Sequence, residues 1–182
     1  TVEDGLFPRT YRVKWDIVGE PKVSILIPNK DHTDDLEKCL HSIWTKTEWE
    51  HFEVIVVENN STDPATFAYY KKAQQRYDGL RVVTYPKKGF NFSGINNFGR
   101  KYATGAYLLL LNNDVEVRSG EWLTELLRQC AHPGGAAVCG AMLWYPDETI
   151  QHAGVITGLG GYAGHSHKYK KAGGSGYLFR TA

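Results

Sequence analysis

Three polar clusters in this chain follow directly on apolar runs: PNKD at 28–31, ENNSTD at 58–63 and NND at 112–114, the last within LLLLNNDVEV at 108–117. Each alone is what an ordinary strand exit looks like. If all three leave one edge of one sheet, they form a crescent of amides and carboxylates. Asp114, followed by Glu116, offers hard oxygen ligands to an ion such as Mg2+ or Mn2+. Amides such as Asn59 donate and accept at once, which matches a pyrimidine edge or a ribose hydroxyl.

The elements that must hold these clusters follow from the hydrophobic pattern. VSILIP (23–28), FEVIVV (52–57), LRVVTY (80–85) and the run 106–111 are short, apolar and β-rich, and predict buried strands. The leucines of 108–111 are expected to anchor a central strand. AAVCG (136–140) is a fifth strand-like run. Between them, residues 31–46 place Leu36, Leu40, Ile43 and Trp44 on one helical face, with Thr33 or Asp34 as cap and Glu37 in the first turn. Helices are also predicted over 66–77 behind Pro64, over 92–103 ending at Thr104-Gly105, and over 121–131. Strands alternating with helices imply an α/β architecture: a mostly parallel, Rossmann-like sheet with helices on both faces. Ligands of such sheets bind beyond the carboxyl ends of the strands. Residues 1–21 read as a lead-in arm and 22–182 as one domain. The stretch from Gly154 to Gly176 is dense in glycine and predicts loops around one hairpin.

Composition narrows the classes. The chain has 182 residues, 42% hydrophobic and 13% aromatic, enough for a sizeable core and unlike a disordered segment. A formal net charge of +1 gives no broad basic surface for nucleic acid. Neither GxGxxG nor GxxxxGK[ST] occurs, which argues against a nicotinamide Rossmann enzyme and a P-loop kinase. Carboxylates in place of such loops point to a divalent cation neutralising a phosphate group. Cys39, Cys130 and Cys139 contain no CxxC and are expected as buried free thiols. No apolar run approaches a membrane span and no signal peptide is evident, so a soluble, cytoplasmic protein is expected. For a full-length form, a peripheral place at the inner face of a membrane is the expectation.

These motifs, in this order, resemble the family 2 inverting glycosyltransferases of the GT-A fold, and within them members that build bacterial surface polysaccharides. VSILIP is similar to that family's opening strand. EVIVVENNSTD (53–63) is similar to its second strand, with Glu58 where an Asp is usual. NFSGINNFGRKYATG (91–105) resembles the helix before the metal strand, and LLLLNNDVEV takes the place of the DxD motif. YPDETIQHAG (145–154) and GHSHK (164–168) complete the likeness. The resemblance implies a nucleotide-diphosphate sugar donor, with UDP or dTDP as first guesses, and a saccharide or lipid-linked saccharide acceptor. It implies that Pro28, Asp31, Glu58 and Asn59 surround base and ribose, that Asn113 faces ribose or phosphate, and that Asp114 holds the metal. Asn97, beside Asn96, is a candidate for phosphate or sugar contact. Asn112 replaces the first acid of DxD, leaving one firm carboxylate ligand. The general base is expected beyond Ala182. His165 and His167 are weighed as metal or phosphate contacts against incidental loop residues. His152 and Asp147 are weighed as acceptor neighbours against parts of a surface hairpin. Phe90, Phe92 and Phe98 are expected in core packing rather than sugar stacking. A nucleotidyltransferase and a non-catalytic carbohydrate- or partner-binding module remain the other classes.

Overall fold

The computed structural model describes residues 1–171 and 173. In chain order its strands and helices are β1 (Val2–Asp4), β2 (Tyr11–Val13), β3 (Val23–Asn29), α1 (Thr33–Lys46), β4 (Phe52–Glu58), α2 (Pro64–Arg76), β5 (Leu80–Thr84), α3 (Phe92–Gly99), β6 (Tyr107–Leu110), α4 (Trp122–Cys130), β7 (Leu143–Trp144), β8 (Ile150–His152), β9 (Val155–Thr157) and β10 (Ala163–His165). The backbone groups into two compact units, Val18–Thr124 and a second made of Thr1–Ile17 with Glu125–Ala182.

The 18–124 unit carries a four-stranded sheet of order β5-β4-β3-β6, parallel throughout. β3 and β4 are apolar on both faces because both faces are covered. Leu26, Ile55 and Val57 cluster with Tyr85 and with Ile95 of α3. The alternate residues Ile25, Ile27, Val54 and Val56 are fully buried, as are Leu36, Leu40 and Ile43 of α1. The predicted helices are present with shifted ends. α2 begins at Pro64, and Asp63 caps it by accepting from the Ala65 N–H at 2.8 Å. α3 stops at Gly99 and a 3-10 turn, Arg100–Tyr102, completes the stretch. Gly105 does more than follow a helix. A Cβ there would lie 2.7 Å from both the Lys22 carbonyl oxygen and the Ser24 nitrogen, so glycine permits the approach to β3.

Three expectations are corrected in this unit. β6 is an edge strand rather than a central one, and its leucines alternate: Leu108 and Leu110 are 43% and 51% exposed. Four consecutive leucines do not reveal that only one face is covered. The cap of α1 is neither Thr33 nor Asp34. His32 occupies that position in the left-handed region, without a side-chain cap bond. Phe90 and Phe92 are exposed rather than core residues; Phe98 alone of the three packs beside the core, edge-on to Tyr85.

In the other unit the lead-in arm is structured. β1 and β2 pair antiparallel, Val2 opposite Val13. Trp15 stacks on His132 with centroids 4.3 Å apart, and Arg12 meets Glu125 at 2.8 Å. The 136–140 run is not a strand; it is irregular, and Val138 is 87% exposed. Short apolar runs without a partner strand do not extend into sheets. Beyond it lie two antiparallel hairpins, β7–β8 before the glycine-rich stretch and β9–β10 as the one hairpin described within it. The glycine-rich stretch to Gly176 lies partly outside the described residues. Cys39 is buried, whereas Cys130 and Cys139 are half-buried, and all three are free. Among the described residues no helix is long and apolar enough to cross a membrane.

Candidate functional site

The parallel register brings the ends of β3 and β4 side by side, Asn29 opposite Glu58, so two of the polar clusters share one edge. β6 runs parallel to β3 on its other side, and the third cluster follows it. The link is direct: Asn113 Nδ2 donates to Asn29 Oδ1 at 2.7 Å. Asn29, only 2% exposed, donates its own amide to the Tyr70 hydroxyl at 2.8 Å and to the Asp31 carbonyl at 2.9 Å. Tyr70 passes the chain on, donating to Glu58 Oε2 at 2.8 Å. Glu58 also accepts from the Ser61 amide, at 2.6 Å, and from the Ser61 hydroxyl.

The Glu58 carboxylate is buried and engaged by Ser61 and Tyr70. The extra methylene over Asp lets it reach back under its own loop. Burial is the main force that pushes the Tyr70 hydroxyl's pKa up, so it remains a neutral donor.

Asp31 sits where the clusters meet. Its Oδ1 accepts from the Thr62 and Asp63 amides at 2.8 and 2.9 Å. Those amides, Asp63 first, hold its carboxyl below the ordinary range. Oδ2 has only a 3.5 Å approach from the Thr62 hydroxyl. Asp31 and His32 both adopt positive φ, 52° and 48°. Left-handed backbone at a non-glycine residue costs on the order of 1–2 kcal/mol. The bonds between Asp31 and residues 61–63 hold it there, turning the chain sharply out of the sheet.

Pro28, Asn29, Lys30, His32, Asn59, Phe90 and Asn113 line a cavity of about 190 Å³ at this edge. That is below the roughly 300–1,000 Å³ of a site that encloses a whole ligand, and matches one portion of it. Asn97 is not there. It is exposed and lines a different cavity of about 540 Å³, with Arg100, Lys101 and Leu108. Its neighbour Asn96 is buried, donating to the Phe92 carbonyl at 2.9 Å, and its Oδ1 has no hydrogen-bond partner among the described residues.

Asp114 and Glu116 are exposed just past β6, close enough to the buried Cys39 thiol to help raise its pKa to about 12, after the larger effect of burial. No three His, Cys, Asp or Glu side chains converge on a metal position among the described residues. Exposed carboxylates are hard oxygen donors of the kind that Mg2+ or Mn2+ takes in one binding mode. These ions keep their waters and use one or two carboxylates together with a ligand's phosphates, rather than an all-protein cage.

In the other unit, His152 and His165 face each other, Nδ1 to Nδ1 at 2.8 Å, and burial with the neighbouring ring lowers the pKa of His152. His167 Nδ1 contacts the Ser166 hydroxyl. Asp147 accepts from the Thr149 amide and hydroxyl at 3.0 and 2.7 Å, a turn-closing role. Sequence reasoning passes over Asn29 as a ligand-side residue and Tyr70, and places Phe90 in the core. Asn29 lay within a recognised cluster. Tyr70 carried no signal beyond an aromatic on a helix.

Residues 24–174 match the Glycosyl transferase family 2 model. The chain is 45% identical over 158 residues to the O-antigen biosynthesis protein RfbC of Myxococcus xanthus, covering 87% of this chain and 12% of that one. It is 39% identical over 176 residues to protein y4gI of Sinorhizobium fredii, covering 97% of this chain and 19% of that one. The chain thus spans between about an eighth and a fifth of these relatives. Its fold is similar to a mannosyltransferase from Pyrobaculum calidifontis solved with GDP-mannose and Mn2+, with a TM-score of 0.56 and 20% identity over 65% of this chain and 36% of that chain. The α/β reading with a parallel sheet holds, and by the family match this chain belongs to glycosyl transferase family 2.

Proposed function

We propose that the 18–124 unit binds the nucleoside diphosphate of a sugar donor at the carboxyl edge of its parallel sheet. The whole protein would then transfer that sugar, with inversion, to a saccharide acceptor in surface polysaccharide synthesis. One observation carries the donor reading: a continuous hydrogen-bonded chain, Asn113–Asn29–Tyr70–Glu58–Ser61, fixes strand-end amides beside a small cavity and an exposed carboxylate. Pre-oriented amides serve recognition because their own rotamers are already paid for by the network. Pro28, Asn59 and Asn113 form the walls, and Asp31 offers Oδ2 to a ribose hydroxyl. Glu58 positions Ser61 and Tyr70 and does not contact the donor. Uridine or thymidine diphosphate is the preferred donor nucleotide, since a pyrimidine edge matches amide donors and acceptors. The O-antigen role in the name of the Myxococcus relative supports a saccharide acceptor.

Asp114 would hold Mg2+ or Mn2+, which when bound acts as a Lewis acid on the departing diphosphate. The protein's share is to bind and orient the donor so that the anomeric carbon's opposite face stays open to an acceptor hydroxyl. Displacement from that face inverts the centre, and needs a base within reach of the hydroxyl. Isothermal titration with UDP, dTDP and GDP, with and without Mn2+, tests the reading. Mn2+-dependent binding of a pyrimidine diphosphate, lost in Asp114→Ala, is the expected result. Binding that ignores both the metal and the substitution would overturn it.

A further inference from the structure

Phe90 is 76% exposed, yet its side chain lines the strand-end cavity with Asn29, Asn59 and Asn113. The local backbone accounts for that placement. Gly89 takes φ +85° with nothing within 4 Å of where a Cβ would be. Two residues on, Asn91 caps α3, accepting from the Gly94 N–H at 2.8 Å. Phe90 is thus held between a left-handed glycine and a helix cap, with Phe92 its tilted neighbour 6.5 Å away. Leaving a phenylalanine in water forgoes roughly 1.5–3 kcal/mol of burial. Nothing in α3 requires that exposure, because Ile95 and Phe98 supply its contacts with the core.

An aromatic face beside side-chain amides is the combination that holds a planar heterocycle: the ring covers its π-face and the amides meet its edge. We infer that Phe90 is the stacking platform for the donor's nucleobase, positioning it against Asn59 and Asn113. This rests on the reading of the cavity as the nucleotide site. The loop between β5 and α3 would thereby contribute to donor binding, although none of the polar clusters lies in it.

The test compares UDP and UDP-glucose binding in Mn2+ for the full chain and for Phe90→Ala, Phe90→Leu and Phe90→Trp. Unchanged urea midpoints confirm that the exposed position leaves folding alone. Stacking contributes about 1–3 kcal/mol per base, so Ala and Leu are both expected to weaken UDP roughly 5- to 150-fold, while Trp matches or exceeds Phe. Rescue by Leu would make Phe90 an apolar wall and not a platform, overturning the inference. A loss confined to UDP-glucose would move the stacking to the sugar and overturn it equally. If the unsubstituted chain binds UDP and Phe90→Ala binds it as well, this inference alone falls. If the unsubstituted chain binds no nucleotide, the donor-site reading falls first.

Discussion

The two ends of the parallel sheet both gather polar groups, and they use them in opposite ways. At the amino end, Glu53 on β4 is buried and fully engaged. It accepts from the Ser24 hydroxyl at 2.6 Å, the Thr104 amide at 2.7 Å and the Thr104 hydroxyl at 2.9 Å. Arg81 and Lys22 close the other oxygen at 2.7 and 3.3 Å. One carboxylate thereby ties the starts of three strands to the turn that leads into the fourth. At the carboxyl end, the carboxylates are divided. Glu58 is engaged internally, Asp31 is held by one oxygen, and Asp114 and Glu116 stand in solvent. A buried network with every lone pair used can only stabilise. A half-used one beside a cavity can also bind, and this asymmetry separates the candidate site from the scaffold in a sheet polar at both ends.

The sharpest way to break the comparison is Glu53→Ala. It leaves the buried Ser24 hydroxyl and the Thr104 amide without their acceptor and frees the part-exposed Arg81, and with unsatisfied buried donors at about 1–3 kcal/mol each the sum is about 3–5 kcal/mol. Urea denaturation is expected to show a loss of that size with nucleotide affinity per folded molecule unchanged. A loss under 1 kcal/mol would mean that the amino end is no more structural than the carboxyl end.

Acid tests the same residue without mutation. Burial alone would raise the Glu53 carboxyl, but the hydrogen bonds from Ser24, Thr104 and Lys22 outweigh it and bring the pKa down to about 2 from the ordinary 4.5. A folded-state pKa below the unfolded one gives stability that is fully present above 4.5 and lost as pH falls toward 2. About 3 kcal/mol should disappear across that window, read as a fall in urea midpoint that is shallower in Glu53→Gln. Equal slopes in the two proteins would assign the acid sensitivity elsewhere.

Much of this was legible in the sequence, for physical reasons that also mark where legibility stops. VSILIP and FEVIVV announce strands covered on both faces, and the 3.6-residue spacing of Leu36, Leu40 and Ile43 announces α1. β6 misleads because its leucines look doubly buried, while an edge strand needs only every other one inside. The β7–β10 hairpins are too short to leave a period. At the site, polar clusters on strand exits were readable because a parallel sheet collects such exits on one edge. The inward turn of the Glu58 carboxylate onto Tyr70, twelve residues on, is not, because side-chain direction is not written in local pattern. Phe90 reads as core by its hydrophobicity, whereas exposure is decided by the turn that carries it.

Tyr70→Phe probes how far the scaffold reaches into the site. It removes the hydroxyl shared by Asn29 and Glu58, but each keeps another partner, Asp31's carbonyl for the amide and Ser61 for the carboxylate. About 1–2 kcal/mol of stability should be lost, less than for Glu53. Because Asn29 also holds Asn113, UDP affinity should fall several-fold at the same time. Loss of stability with unchanged affinity would detach Asn113 from nucleotide recognition.

The smallest expected effect on stability falls on the residue expected to matter most for binding. Asp114 is exposed and bears on the fold chiefly through its field at Cys39, whose thiol burial already pushes up. Asp114→Ala should therefore leave the urea midpoint within about 0.5 kcal/mol of the parent. Cys39 should remain unreactive toward a thiol reagent that labels the half-buried Cys130 and Cys139, since removing one nearby charge does not uncover it. Set beside Glu53→Ala, which should destabilise the protein without touching the nucleotide, this substitution should abolish Mn2+-dependent affinity without touching the fold. A destabilisation of 2 kcal/mol or more would place Asp114 with the scaffold, and the carboxyl end would no longer differ in kind from the amino end.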